Sequence, residues 1–314
     1  RSGRRGRWFK SSRPDHFQYG LEQSVFSKLG FWHYLLFLIP ITAVSQHFHL
    51  PSVIIFVLAS VSLVPLAHFL GEATEVISEK MGSHFSGIIN ATFGNAAELV
   101  IAIIAIRNGL VDIVKYSLIG SIIGNILLIL GLSLFTGGVK YGELKLSPNI
   151  TGPTIIHLSM AAMCFGVPSI FVNEGNLSAL NQYSISIAIV LLIVYFVGLF
   201  YTMTASKNTE VSQLINEAIE ATAPKWNIAK CFFILILATC GLIYISEILV
   251  HQIEPLIAST HIPATFVGLI ILPLVGNVPE HSIAIRGALK NKINLSLAIA
   301  GESSTQIALF VSPV

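Results

Sequence analysis

The chain has 314 residues, of which 54% are hydrophobic and 11% charged, and its formal net charge is +2. This composition is too apolar for a water-soluble globular domain, and its basic residues are spread over many loops, which argues against a nucleic-acid-binding surface. The sequence therefore predicts an all-α, multi-pass integral membrane protein.

Nine apolar segments are long enough to cross about 30 Å of hydrocarbon as helices. In chain order they cover residues 31–49, 52–78, 86–106, 109–137, 152–173, 180–204, 228–252, 262–289 and 294–314. If the N-terminus is cytoplasmic, sixteen of the eighteen Lys and Arg residues fall on the cytoplasmic side, and only Arg107 and Lys115 do not. Since short cytoplasmic loops collect Lys and Arg, we expect a cytoplasmic N-terminus.

The longest polar connection, residues 205–225, separates six apolar segments from three. Its apolar residues recur at helical spacing and glutamates fill most of the opposite face, which predicts an acidic amphipathic cytoplasmic helix. The predicted organisation is a basic cytoplasmic segment (1–30), an extra N-terminal transmembrane helix (31–50), a first five-helix repeat (51–204), the acidic linker (205–225) and a second repeat (226–314).

A Gly-Asn-x-x-Glu motif occurs in two apolar segments, at 94–98 and at 276–280. A shift of 182 positions superposes the two motifs and also superposes Ser121 on Ser303. A common shift across two segments indicates an internal duplication. Because five helices are an odd number, the second copy enters from the opposite side, which predicts inverted-topology repeats with both glutamates near the bilayer midplane.

A carboxylate inside a membrane segment is costly unless the protein uses it, so Glu98 and Glu280 are the candidate functional groups. Two carboxylates suit a hard divalent cation, and the side-chain oxygens of Asn95 and Asn277 are further ligands of the same kind. Carboxylates held close together repel, which favours their protonation once the cation leaves. Such a site alternates between a divalent cation and two protons, the chemistry of an antiporter. No cofactor is expected, and no enzyme motif stands out.

Other polar residues in the apolar segments are auxiliary candidates. His281 follows Glu280 and either shares its proton or is simply hydrogen-bonded. Neutral ligand candidates are Ser303 and Gln306 in the last segment, with Ser121 and Asn125 in the other half. Glu72 and Glu75 lie near the cytoplasmic end of the second segment, where they either line an access path to the site or are solvated at the interface.

Four stretches, residues 87–99, 276–281, 290–292 and 303–310, carry a family resemblance. Over residues 31–314 the chain resembles the vacuolar-type calcium/proton exchangers of the calcium/cation antiporter superfamily. The resemblance implies one extra helix, two inverted repeats of five helices and export of cytosolic calcium driven by a proton gradient. By motif, Glu98 and Glu280 would be the alternating calcium and proton ligands, surrounded by Asn95, Asn277, His281, Ser303 and Gln306.

The chain departs from the family pattern at three places. Val278 and Pro279 stand where the family has two alanines, and a Pro-Glu pair is similar to that of sodium/calcium exchangers. Glu302 stands where the family has glycine, as either a third site carboxylate or a disruptive one. The chain stops at Val314, where the family continues, so we expect the second repeat to be incomplete here.

Alternative functions are a sodium/calcium exchanger, a proton exchanger for manganese or another divalent cation, or, in a different class, a channel. The expected location is the membrane of a vacuole or other acidic organelle, with a bacterial plasma membrane second. The expected partners are Ca²⁺ (or Mn²⁺), H⁺ and the lipid bilayer, without nucleic acid. The sequence predicts no particular oligomeric state.

Overall fold

The computed structural model describes residues 30–81, 89, 92–171, 177–205, 224 and 226–314. Every regular element within these residues is helical, which confirms the predicted all-α class. The basic N-terminal segment and nearly all of the acidic linker lie outside the described residues, so both stay predictions.

The α-helices follow the predicted apolar segments. In chain order they are α1 (Phe31–Leu35), α2 (Leu38–His47), α3 (Ser52–Met81), α4 (Ala96–Arg107), α5 (Val111–Ile123), α6 (Leu130–Tyr141), α7 (Pro148–Phe171), α8 (Leu177–Ala205), α9 (Ile228–His251), α10 (Ile253–Thr260), α11 (Ala264–Phe266), α12 (Leu272–Gly276), α13 (Val278–Leu289) and α14 (Ile293–Gln306). Three wider π-helical turns extend or join them: π1 (Gly124–Ile129), π2 (Val267–Ile271) and π3 (Ile307–Val311).

Four helices among the described residues are long and apolar enough to cross a membrane: Ser52–Ser78, Val111–Tyr141, Asn181–Phe200 and Ile228–Thr260. Ala264–Gly276 and Val278–Leu289 form a fifth if their 66° bend lies within one span. The total of nine membrane-spanning segments therefore stays a prediction. Helix also continues past the predicted end at 252 as α10, where Pro255 occupies the first turn and so removes no intrahelical hydrogen bond.

The longest helix, α3, packs antiparallel to α9. One core cluster joins Ile55 to Leu66 of α3 with Leu242 to Val250 of α9, and a second joins Leu70 to Ile77 with Cys231 to Ala238. The N-terminal half of α3 therefore faces the C-terminal half of α9. Each helix precedes one copy of the repeated motif, so their contact joins the two halves of the chain.

The 182-residue shift found in the sequence extends to the backbone. Helices α4 and α13 begin and end 182 positions apart, and so do the starts of α5 and α14. The turn after α4 places Gly109 at φ 80°, and the turn after α13 places Asn291 at φ 63°. Glycine and asparagine adopt this left-handed conformation most readily. The two turns also form equivalent backbone hydrogen bonds, such as Leu110 N to Ala105 O and Lys292 N to Gly287 O.

Two glycines allow α5 and π2 to approach closely. A Cβ atom on Gly120 would lie 2.2 Å from the carbonyl oxygen of Leu269, and one on Gly268 would lie 2.5 Å from Cβ of Tyr116. Small residues permit such contact between apolar helices. Because Ser121 follows Gly120, this crossing brings the first half of the chain next to the second motif.

Candidate functional site

Both motifs interrupt helices at an asparagine. Asn95 precedes α4 with φ −111° and ψ 25°, and Asn277 precedes α13 with φ −100° and ψ 16°. Glu98 and Glu280 then fall in the first turns of these helices, where free N–H groups and the helix dipole favour negative charge. Pro279 is tolerated because a first-turn residue needs no intrahelical N–H bond.

The glutamate of the first motif reaches the second motif. Oε1 of Glu98 lies 3.2 Å from the position that a Cβ atom would take on Gly276. The carboxylates of Glu98 and Glu280 are close enough to repel each other electrostatically. Oε2 of Glu280 is buried and has no hydrogen-bond partner among the described residues. The structure thus brings together the two carboxylates that the sequence singled out, one of them without a partner.

The two motif asparagines bond across the halves of the chain. Nδ2 of Asn95 donates to Oε1 of Gln306 at 2.5 Å. Nδ2 of Asn277 donates to Oγ of Ser121 at 3.2 Å and to the carbonyl oxygen of Pro273 at 3.0 Å. Neither asparagine caps its helix through its side chain. Both amide nitrogens are thus engaged as donors, which leaves the two amide oxygens as acceptors.

His281 belongs to a separate hydrogen-bonded chain. Its Nε2 lies 3.2 Å from Oδ1 of Asn125, and Nδ2 of Asn125 donates to Oγ of Ser303 at 2.9 Å. The chain connects α13, π1 and α14. The sequence predicts Asn125 as an auxiliary ligand candidate, and the structure shows that it links His281 to Ser303. The equivalent positions in the other half hold Leu99 and Ile307, so this chain has no repeat-related counterpart.

Glu72 and Glu75 lie on α3, away from the motifs. Oε1 of Glu72 is 3.2 Å from Nε2 of His68, one turn earlier on the same helix. Glu75 is near enough to interact electrostatically with both Glu72 and Glu280. This arrangement is the one expected of a path to the site, and that role stays a prediction.

Glu302 is set apart from the glutamate pair. It is partly buried and has no hydrogen bond to another described residue. Its electrostatic contact is with Tyr195 of α8, and it is not among the groups that act on Glu98 or Glu280. The preceding Gly301 packs on α7, where a Cβ would meet Oγ1 of Thr154 at 2.7 Å. The Glu302 carboxylate therefore lies near Tyr195 of α8.

The donor set is composed mainly of oxygen. Within the described residues no three His, Cys, Asp or Glu side chains form a group able to hold a metal ion. A cation between Glu98 and Glu280 would therefore take its other ligands from amide, hydroxyl, main-chain or water oxygens. Such ligands suit calcium, which binds about six to eight oxygens in flexible geometry.

Comparison with known proteins gives a consistent assignment. The family model described as "Sodium/calcium exchanger protein" matches residues 51–204 and 230–314. A Ca²⁺/H⁺ antiporter of Aphanothece halophytica is 37% identical over 294 residues, which cover 89% of this chain and 79% of that protein. A vacuolar calcium ion transporter of Schizosaccharomyces pombe is 32% identical over 300 residues, with 94% and 72% covered.

The solved structure of the selenium-substituted Ca²⁺/H⁺ antiporter protein YfkE superposes with a TM-score of 0.73 at 32% identity. The match covers 90% of this chain and 80% of that one. The resemblance inferred from the motifs is thereby confirmed. The chain belongs to the sodium/calcium exchanger protein family, and its relatives include calcium/proton antiporters.

Proposed function

We propose that this protein is a secondary antiporter that exchanges cytosolic Ca²⁺ for H⁺ at a single alternating-access site. The observation that carries the proposal is the proximity of Glu98 and Glu280 across the two halves of the chain, with Oε2 of Glu280 buried and without a hydrogen-bond partner among the described residues. Two adjacent carboxylates inside an apolar protein are costly unless a cation or protons neutralise them. The proposed function is also that of the named relatives.

The cation would lie between Glu98 and Glu280, within reach of the amide oxygens of Asn95 and Asn277. The hydrogen bonds that the two amide nitrogens donate to Gln306 and Ser121 support this arrangement, since they leave the amide oxygens as the atoms available to a cation. Ser303 and His281 act one layer further out, through Asn125. Glu72 and Glu75 line the path from the cytoplasm.

Protons complete the cycle by charge balance. Release of Ca²⁺ leaves two negative charges within the membrane, and two protons restore neutrality at least cost. The same two side chains therefore carry either one Ca²⁺ or two H⁺. Binding of one excludes the other, which is the requirement for coupled exchange.

Alternating access is proposed to arise from two inverted five-helix repeats, preceded by the extra helix at 31–50. The 182-residue shift in helix boundaries and turn geometry supports the duplication, and the antiparallel packing of α3 on α9 supports the inversion. Lys140, Lys145 and Lys290 flank turns on the proposed cytoplasmic side. The membrane is that of an acidic organelle or a bacterial cell, since relatives of both kinds occur.

Sodium/calcium exchange is the second candidate function, supported by the Pro279-Glu280 pair. Against it, the position bonded to Asn95 is the neutral Gln306, whereas sodium binding alongside calcium would favour a further carboxylate there. Manganese remains an alternative substrate because it also binds oxygen ligands.

The test is radioactive calcium uptake into acid-loaded proteoliposomes that contain the full-length protein. Uptake should require the pH gradient and collapse with a protonophore. A sodium gradient in place of the pH gradient should support no uptake, and competition by Mn²⁺ would measure ion preference. Uptake that follows sodium and ignores the protonophore would refute proton coupling.

A further inference from the structure

A cavity of about 390 Å³ opens between two turns, and neither Glu98 nor Glu280 lines it. One wall is the α6–α7 turn, with Glu143 and Lys145, and the other is the α13–α14 turn, with Asn291, Lys292 and Asn294. Both turns belong to the predicted cytoplasmic side, at the ends of membrane helices. The cavity therefore lies at the expected depth of lipid headgroups.

The two walls are fixed to each other by hydrogen bonds. Nζ of Lys140 and the hydroxyl of Tyr141 each donate to the carbonyl oxygen of Leu289 at 2.8 Å. On the other side of the cavity, Oδ1 of Asn294 accepts the backbone N–H of Ser147 at 2.9 Å. The cavity is thus preformed by the packing of α6 and α7 against α13 and α14.

The polar lining suits an anion. Two lysines face one glutamate, so the lining carries a net positive charge. The side chain of Lys145 is exposed and has no ion pair or hydrogen bond within the described residues. The bond from Ser147 fixes the amide oxygen of Asn294, which leaves its nitrogen as a donor. Ammonium and amide donors around one space are suited to phosphate oxygens.

An apolar stripe runs along π1 and α6 towards the α6–α7 turn, which forms one wall of the cavity. Leu128 and Leu132, followed by Phe135 and Val139, are spaced as one helix face, and Phe135 and Val139 are 68% and 75% exposed. The stripe ends immediately before Lys140. An acyl chain on this face would place its headgroup at the lysines, which favours a membrane lipid over a soluble phosphate.

The lysines are not a requirement of the turn itself. The repeat-related turn between α4 and α5 has the same backbone conformation. It consists of Asn108, Gly109 and Leu110, at the positions that Lys290, Asn291 and Lys292 hold in the α13–α14 turn. Basic residues therefore belong to one copy only.

We propose that this cavity binds the phosphate headgroup of an anionic phospholipid, through Lys145 and Lys292, with the acyl chains along the exposed face of α6. The site is separate from the exchange site. Its occupancy would fasten the α6–α7 turn to the α13–α14 turn and so stabilise the contact between the two halves of the chain.

The test compares the melting temperature of the detergent-purified full-length protein with added phosphatidylglycerol or phosphatidylcholine. Phosphatidylglycerol should raise the melting temperature by several degrees more than phosphatidylcholine does. Lys145→Gln should lose at least half of this difference. Lys290→Gln removes the same charge from the α13–α14 turn, at a position that does not line the cavity, so it should keep the difference.

Two outcomes would overturn the proposal. Equal losses in Lys145→Gln and Lys290→Gln would show unspecific attraction between charges. An equal rise with glycerol 3-phosphate would show a site for soluble phosphate. Lys292→Gln provides a second variant, and elution as a single monodisperse peak before heating checks that each variant has folded.

Discussion

The carboxylate of Glu98 lies against Gly276, so the acidic residue of the first motif contacts the glycine of the second. The contact leaves 3.2 Å between Oε1 and a Cβ atom built on the glycine, which is too close for a side chain without movement. Gly276 therefore allows the carboxylate to occupy its place beside Glu280.

Gly276→Ala should displace the Glu98 carboxylate by a few tenths of an ångström and weaken calcium binding. We expect the half-saturating calcium concentration for uptake to rise roughly tenfold, which corresponds to about 1.4 kcal/mol. Gly131→Ala in α6 is the matched control, since its new methyl group meets nothing within 4 Å. Unchanged calcium affinity in Gly276→Ala would contradict the proposed ligand role of Glu98.

Glu98→Gln or Glu280→Gln should each abolish calcium uptake, because one carboxylate cannot balance a divalent cation or carry two protons. Neither change should unfold the protein, since removing one of two repelling buried charges relieves a cost. Proteoliposome uptake and the melting temperature measure the two effects. Glu254→Gln, at an exposed residue of α10, should leave both unchanged. Full activity in either site variant would refute the two-carboxylate mechanism.

Asn125→Leu should break the chain from His281 to Ser303 while keeping a similar volume. The buried His281 and the partly buried Ser303 then lose their partner, at a cost of about 1–3 kcal/mol for a buried group, so the melting temperature should fall and calcium affinity should weaken. Asn108→Leu is the control, because its amide bonds only to Ile104 of its own helix. Wild-type stability and affinity in Asn125→Leu would show that the chain positions nothing.

Glu302→Gly, which restores the residue expected from the family pattern, should preserve or improve uptake. The reason is that Glu302 interacts electrostatically with Tyr195 of α8 rather than with the second motif. Glycine within a helix costs about 1 kcal/mol, so Glu302→Gln is the companion variant that keeps helix propensity. A loss of calcium affinity in both variants would instead identify Glu302 as a third ligand.

Gly120→Ala should destabilise the protein strongly. The added methyl group would lie 2.2 Å from the carbonyl oxygen of Leu269, and overpacking of this kind costs about 1–3 kcal/mol. The melting temperature should fall, whereas Gly124→Ala, one turn later and open to space, should change it little. Equal effects of the two changes would mean that the crossing of α5 and π2 is less close than described.

Much of the site was predictable from local sequence. Glu98 and Glu280 stand out because charges are costly among apolar residues, and the 182-residue shift relates their motifs directly. Composition was likewise sufficient for the helical membrane class. The three π-helical turns were not predicted, since each adds a residue to only one turn of a helix, and a shift so short is hidden within a continuous apolar segment.

The sequence by itself determined which residues are equivalent in the two halves, and only the tertiary structure decided which of them touch. The shift pairs Ser121 with Ser303, yet Ser121 bonds to Asn277 while Ser303 bonds to Asn125, and Asn95 bonds to Gln306. The physical reason is that duplication copies local backbone geometry. Contacts between the halves depend instead on side chains that differ between the two copies, such as His281 and its partner Asn125, whose equivalents are Leu99 and Ile307.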